Sequence, residues 1–128
     1  MLDHIGIKVT DIAKAKAFYD KALAPLGVGV VMEVSAEESP EGAFIGYGEG
    51  FKPYFWVNEQ ERATELVHVA FATDARAKVD AFYKAAMAAG GRDNGPPGVR
   101  EHYHPTYYGA FVLDPDGHNI EAVCHAPV

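Results

Sequence analysis

The chain is expected to fold as an α+β domain made of two copies of a βαβββ-type module. Three observations lead there. Leu2-Asp3-His4-Ile5-Gly6-Ile7 lines up with Leu66-Val67-His68-Val69-Ala70-Phe71, and the same offset of 64 residues carries Phe18-Tyr19 onto Phe82-Tyr83 and Gly27 onto Gly91. Each copy opens with a period of two, the signature of a strand with one buried face. Each opening strand is then followed by apolar positions at helical spacing.

The first strand places Ile5, Ile7 and Val9 on one face and His4, Gly6 and Lys8 on the other. Its counterpart sets Val67, Val69 and Phe71 against His68, Ala70 and Ala72. In both, the bulky face suits packing under a helix, while the other joins a histidine to small neighbours. Helices are expected from about Ile12 to Leu26 and Ala75 to Ala89, with Asp11 and Asp74 as N-caps and Gly27 and Gly90-Gly91 as stops. Phe18 and Phe82 read as core residues. Further strands are expected over Gly29–Val34, Ala43–Tyr47, Pro53–Val57, Tyr107–Leu113 and Asn119–Cys124. Gly48-Glu49-Gly50 reads as a hairpin turn rather than a phosphate loop, since GxGxxG spacing and a following helix are missing. Asp114-Pro115-Asp116-Gly117 is a tight turn, and residues 91–105 form a long loop, with room for a short strand. The modules span 1–57 and 66–124, joined by the polar connector 58–65; each is too short to bury a core alone, so 1–128 forms one domain.

Composition narrows the partners. The 128 residues are 48% apolar with a formal charge of −7, which gives phosphate backbones no cationic face to bind. No nucleic-acid partner is expected. The single cysteine, Cys124, permits no internal disulfide and reads as buried packing. Met1 leads straight into a strand-like run, so neither a secretory leader nor a membrane span is expected and the cytoplasm is the expected location.

His4 and His68 hold equivalent places in the two copies, so a pseudo-twofold arrangement brings their small-residue faces together. On the last strand Glu121 sits among Ile120, Ala122 and Val123, where an unpaired carboxylate is costly to bury. Two histidines and one carboxylate form a familiar donor set for divalent Fe, Mn, Zn or Ni. No HExxH or CxxC accompanies them.

Asp3-His4-Ile5-Gly6-Ile7, Phe18-Tyr19, the restart at His68 and the string Phe111 to Glu121 together resemble the vicinal oxygen chelate superfamily of glyoxalase I, extradiol dioxygenases and bleomycin and fosfomycin resistance proteins. The resemblance covers essentially the whole chain. It implies paired modules forming an incomplete barrel, a homodimer, and metal ligation by His4, His68 and Glu121. A fourth ligand of the glyoxalase type would lie on the last strand of the first module. Strand alignment puts Tyr54 or Phe55 opposite Glu121 and the constant offset puts Val57 there, none of them a carboxylate; Glu59 serves only if the strand runs further.

The resemblance thus implies a metal-dependent enzyme acting on a small oxygen-rich metabolite, by isomerase, lyase or ring-opening dioxygenase chemistry. The alternative is a metal-free small-molecule binding or drug-sequestering protein of the bleomycin-resistance type. Tyr54, Trp56, Tyr103, Tyr108 and Arg100 are candidate substrate contacts, with Tyr107 a further aromatic. His102 and His104, in Glu101-His102-Tyr103-His104-Pro105, are candidate proton shuttles of which one enters the site. His118, following Gly117, reads as a turn residue.

Overall fold

The computed structural model describes residues 1–62 and 65–127. Its order is β1 (Ile5–Val9), α1 (Ile12–Leu23), a 3-10 turn (Ala24–Leu26), β2 (Gly29–Val34), β3 (Phe44–Glu49) and β4 (Lys52–Glu59). The second module follows as β5 (His68–Ala72), α2 (Arg76–Ala88), β6 (Arg92–Asp93), β7 (Gly98–Val99), β8 (Tyr108–Leu113) and β9 (Asn119–Cys124). Two residues of the expected connector, Asn58 and Glu59, belong to β4, and residues 63 and 64 of it lie outside the described residues.

Each module builds its own sheet. The first has the order β1-β4-β3-β2; the second runs β5-β9-β8-β6, with β7 also on β8. In both, the opening strand pairs in parallel with the closing strand, and the inner pairs are antiparallel. The expected paired modules are present, and the sheets do not close into a full barrel.

The α1 helix begins as its sequence requires. Asp11 is the N-cap and accepts from the Lys14 amide at 3.0 Å, while Glu59 reaches across to accept from the Ile12 amide at 2.9 Å. The α2 helix differs from expectation. Ala75 is its N-cap and offers no side-chain acceptor, because Asp74 lies one residue too early and binds Lys78 Nζ at 3.0 Å instead.

The two helices pack on one another under the sheets. Phe18, Tyr19, Phe55 and Phe82 are fully buried there, with Val9, Val57, Val79 and Ile120. Burial of each such side chain contributes roughly 1.5–3 kcal/mol. Aromatic contact crosses the module boundary: Phe55 of β4 meets Phe71 of β5 edge-on, centroids 5.2 Å apart. Cys124 is buried and free. No helix among the described residues is long and apolar enough to cross a membrane.

The turn between β8 and β9 fastens the modules together. Asp114, fully buried, accepts from Tyr19 Oη of α1 at 2.6 Å and from the amides of Asp116 and His118. Asp116 accepts from the Thr10 hydroxyl at 2.7 Å. His118, also fully buried, takes the Val67 amide on Nδ1 at 3.1 Å and gives its Nε2 proton to the Lys8 carbonyl at 2.7 Å. One neutral imidazole thus links the end of β1 to the start of β5. A histidine after Gly117 reads from sequence as a turn residue, and it is one; its burial as a strut carries no local sequence signal.

Candidate functional site

Alternation on β5 and β9 sets the site. Val69 and Phe71 are buried in the core, leaving His68 and Ala70 on the opposite, exposed face. On β9, Ile120, Ala122 and Cys124 are among the core residues, and Glu121 points the other way, as the strand partner of Ala70. Its side chain is only 1% exposed.

Two donors account for that burial. His68 Nε2 lies 2.8 Å from Glu121 Oε1, and Tyr107 Oη donates to Oε2. Gly109 leaves room beside that bond: a Cβ there would stand 3.1 Å from the Tyr107 ring and 3.2 Å from Oε2, tight enough that both would have to give. Burial, followed by the hydrogen bond to Glu121, pushes the Tyr107 hydroxyl well above the usual tyrosine range and keeps it a donor. His68 itself is half exposed, and its Nδ1 has no protein partner among the described residues. Beside it Asn119, its strand partner, holds Oδ1 buried without a donor.

His68 borders a cleft of about 720 Å³ between the modules. Ile5, Val28, Phe55 and Phe71 form its apolar wall; His4, Lys52 and Tyr54 add polar groups. That is a drug- or metabolite-sized space with a few polar anchors.

The expected metal ligands do not come together as one set. His4 is exposed, with Nδ1 on Asp3 Oδ2 at 2.7 Å, and Asp3 is also bound by Lys52 Nζ at 2.8 Å. His68 and Glu121 are bonded to each other. Among the described residues no three His, Cys, Asp or Glu side chains converge closely enough to hold a metal ion.

The fourth position also resolves. Gly6 pairs with Trp56 on β1 and β4 just as Ala70 pairs with Glu121 on β5 and β9. Trp56, rather than Tyr54, Phe55 or Val57, is therefore the counterpart of Glu121, at an offset of 65 residues instead of 64. Its indole lies over Gly46, where a Cβ would come within 2.7 Å of the ring, and meets Phe44 edge-on with centroids 5.7 Å apart. Glu59 does fall within the strand, but its carboxylate caps α1. The fourth position does not fit a metal centre of the glyoxalase type, because it holds an indole where that set has a carboxylate.

The remaining candidates are spread over both modules. Tyr54 borders the cleft, while Trp56, Tyr103, Tyr108, Arg100, His102 and His104 do not. Tyr108 donates to Asp80 at 2.6 Å under the Arg76 guanidinium, and Arg100 donates to the carbonyls of Gly98 and Pro96. The His102 ring lies tilted against exposed Tyr103, which in turn meets Tyr107 edge-on. His104 Nδ1 accepts from the Thr106 amide at 3.2 Å. The residue that sequence reasoning undervalued is Tyr107, read only as one aromatic among several; its signal was Gly109 two places on, which opens space beside Glu121.

The sequence profile of the Glyoxalase/Bleomycin resistance protein/Dioxygenase superfamily matches residues 1–122. The chain belongs to that superfamily. Among solved structures, a glyoxalase/bleomycin resistance protein from Albidiferax ferrireducens T118 is 28% identical with a TM-score of 0.78, over 97% of this chain and 98% of that one. A superfamily enzyme from Burkholderia phytofirmans PsJN shares 20% identity and a TM-score of 0.70, over 97% and 98% of the two chains. A glyoxalase I variant from Zea mays is 19% identical with a TM-score of 0.69; the match takes 95% of this chain and 46% of that one. The last two show the fold alone. Among curated proteins none matches the sequence. Membership of the superfamily supports a small-molecule-binding protein with enzymatic potential.

Proposed function

We propose that this protein binds a small, largely apolar organic molecule in the cleft between its modules without a metal ion, in the manner of the drug-sequestering members of its superfamily. The observation that carries the reading is the commitment of Glu121. Both its oxygens are engaged by protein donors, and its counterpart in the first module is Trp56. The cleft, about 720 Å³ and bordered by Ile5, Leu26, Tyr54 and Phe71, supplies apolar and aromatic surface for such a ligand. Tyr54, His68 and Lys52 are the polar groups that would orient it.

Titration of EDTA-treated protein with an aromatic fluorescent dye, followed by displacement with a panel of drugs and metabolites, tests this. Saturable binding that is weakened at least tenfold by Tyr54→Ala, with the circular dichroism spectrum unchanged, supports it. Binding that vanishes with EDTA and returns with Fe(II), Mn(II), Zn(II) or Ni(II) overturns it in favour of the metal-dependent isomerase, lyase or dioxygenase. The homodimer and the cytoplasmic location implied by the family are part of this proposal; sedimentation equilibrium showing only monomer at micromolar concentration overturns the first.

A further inference from the structure

We infer that the cleft takes its ligand as an added β-strand: a short, extended, apolar peptide hydrogen-bonded along the free edge of β5. This rests on the binding reading of the same cleft and names the class of molecule bound.

Strand β5 lies at the end of its sheet and pairs with β9 alone among the described residues. The Val67 carbonyl accepts from the Asn119 amide at 2.9 Å, and the Thr73 amide donates to the Val123 carbonyl at 2.8 Å. A parallel ladder engages alternate residues of a strand, so Val67, Val69, Phe71 and Thr73 are the ones that bond to β9. The amides and carbonyls of Ala70 and Ala72 therefore point to the other edge, where no strand meets them. That edge borders the cleft. His68 through Ala72 line it one after another, although their side chains alternate in direction. Only a space running along the edge of the strand touches both kinds of residue.

The end strand of the other sheet is covered where it nears the seam: His118 Nε2 donates to the Lys8 carbonyl, and Asp116 accepts from the Thr10 amide. The β5 edge has no such cover. Its sequence, His68-Val69-Ala70-Phe71-Ala72, holds no proline or lysine, and its pairing with β9 has no register shift, so the usual protections against an incoming strand are missing. Ala70 and Ala72 are exposed and their side chains end at Cβ, which leaves the approach to their backbone open. Across the cleft stand Ile5, Leu26, Val28 and Tyr54. An extended chain laid on this edge satisfies the free N–H and C=O groups, and every second side chain of it meets that apolar wall. The five residues of β5 match a partner of about five, at roughly 3.3 Å each. A protein of net charge −7 disfavours a free carboxylate, so the segment bound is internal or capped.

The probe is a capped pentapeptide of alternating threonine and valine, titrated into the full chain by calorimetry, with displacement of the aromatic dye as a second readout. Saturable binding of one peptide per chain is expected. Two methylated versions decide the mode, one with methyl groups on its valine amide nitrogens and the other on its threonine amide nitrogens. In an added strand only one set of amides faces β5, so one version should lose at least about tenfold in affinity while the other stays within about threefold of the parent peptide. Versions that bind alike, whether as tightly as the parent peptide or not at all, overturn the inference. Ala70→Pro removes an amide that β9 does not use, and should weaken the peptide at least about tenfold with the circular dichroism spectrum unchanged. Undiminished binding by that variant also overturns it; should the variant fail to fold, the methylated peptides, tested on the parent chain, still decide. A peptide that does not bind, together with a dimer that Ala70→Pro dissociates, overturns it in favour of a second copy on the same edge. Dye that binds where no version of the peptide does ends the added-strand inference and leaves the binding reading standing, whereas absence of binding by dye and peptide alike ends both.

Discussion

Trp56 stands in the first module where Glu121 stands in the second: each is the strand partner of the small residue two places beyond the module's opening histidine. Equivalent frames therefore present an indole on one side and a hydrogen-bonded carboxylate on the other. The second module concentrates polar chemistry around His68, while the first supplies aromatic surface.

The indole depends on the missing side chain beneath it. A Cβ at Gly46 would come within 2.7 Å of the Trp56 ring, so Gly46→Ala must push the indole aside. Overpacking of this kind costs about 1–3 kcal/mol. Urea denaturation should show that loss, and the emission of the chain's single tryptophan should shift.

Removing the strut at the seam should cost more than removing an exposed histidine. His118→Ala leaves the Val67 amide and the Lys8 carbonyl without their partner. At about 1–3 kcal/mol for each part-buried group left unpaired, stability should fall by about 2–6 kcal/mol. His102→Ala, at an exposed position, should stay within about 0.5 kcal/mol of the parent. Equal effects of the two substitutions in urea melts would contradict the strut.

Alkaline pH should unfold the protein through its buried phenols. Burial raises Tyr19 and Tyr47 well above the ordinary tyrosine value, aided by the neighbouring carboxylates of Asp114 and Asp20. The folded chain keeps these protons while the unfolded chain releases them near pH 10. Their contribution is therefore fully present below that pH and is lost as pH rises above it, at up to about 1.4 kcal/mol per pH unit for each phenol. Denaturation followed between pH 8 and 11 should show this decline, with a shallower slope in Tyr47→Phe.

Much of this architecture could be read from residue order. Alternation of Ile5, Ile7 and Val9 against His4, Gly6 and Lys8 marks β1 and its two faces, and the expected spans of β2 and β9 coincide with those observed. The prominence of Glu121 was also legible, because a carboxylate in an apolar strand must find partners. Which partners it found was not. Tyr107 lies 14 residues away in sequence, and its approach depends on Gly109 and on the β8–β9 register. Alignment of the first module's closing strand missed Trp56 because the offset changes from 64 to 65 and the β3–β4 pairing shifts register between Tyr47 and Gly48. Neither shift leaves a mark in hydrophobic periodicity. The N-cap at Asp74 failed on a displacement of one residue, a scale at which helix boundaries are set by tertiary packing.

No backbone ladder crosses from one sheet to the other among the described residues; the side chain of His118, the turn at Asp114–Asp116 and the packed helices join them. In a continuous sheet a slip of one residue turns every side chain of a strand over, and its neighbours must follow. Here such a slip stops at the seam. Each half can therefore differ in register without disturbing the other, and equivalent positions can hold an indole in one sheet and a carboxylate in the other on the same scaffold.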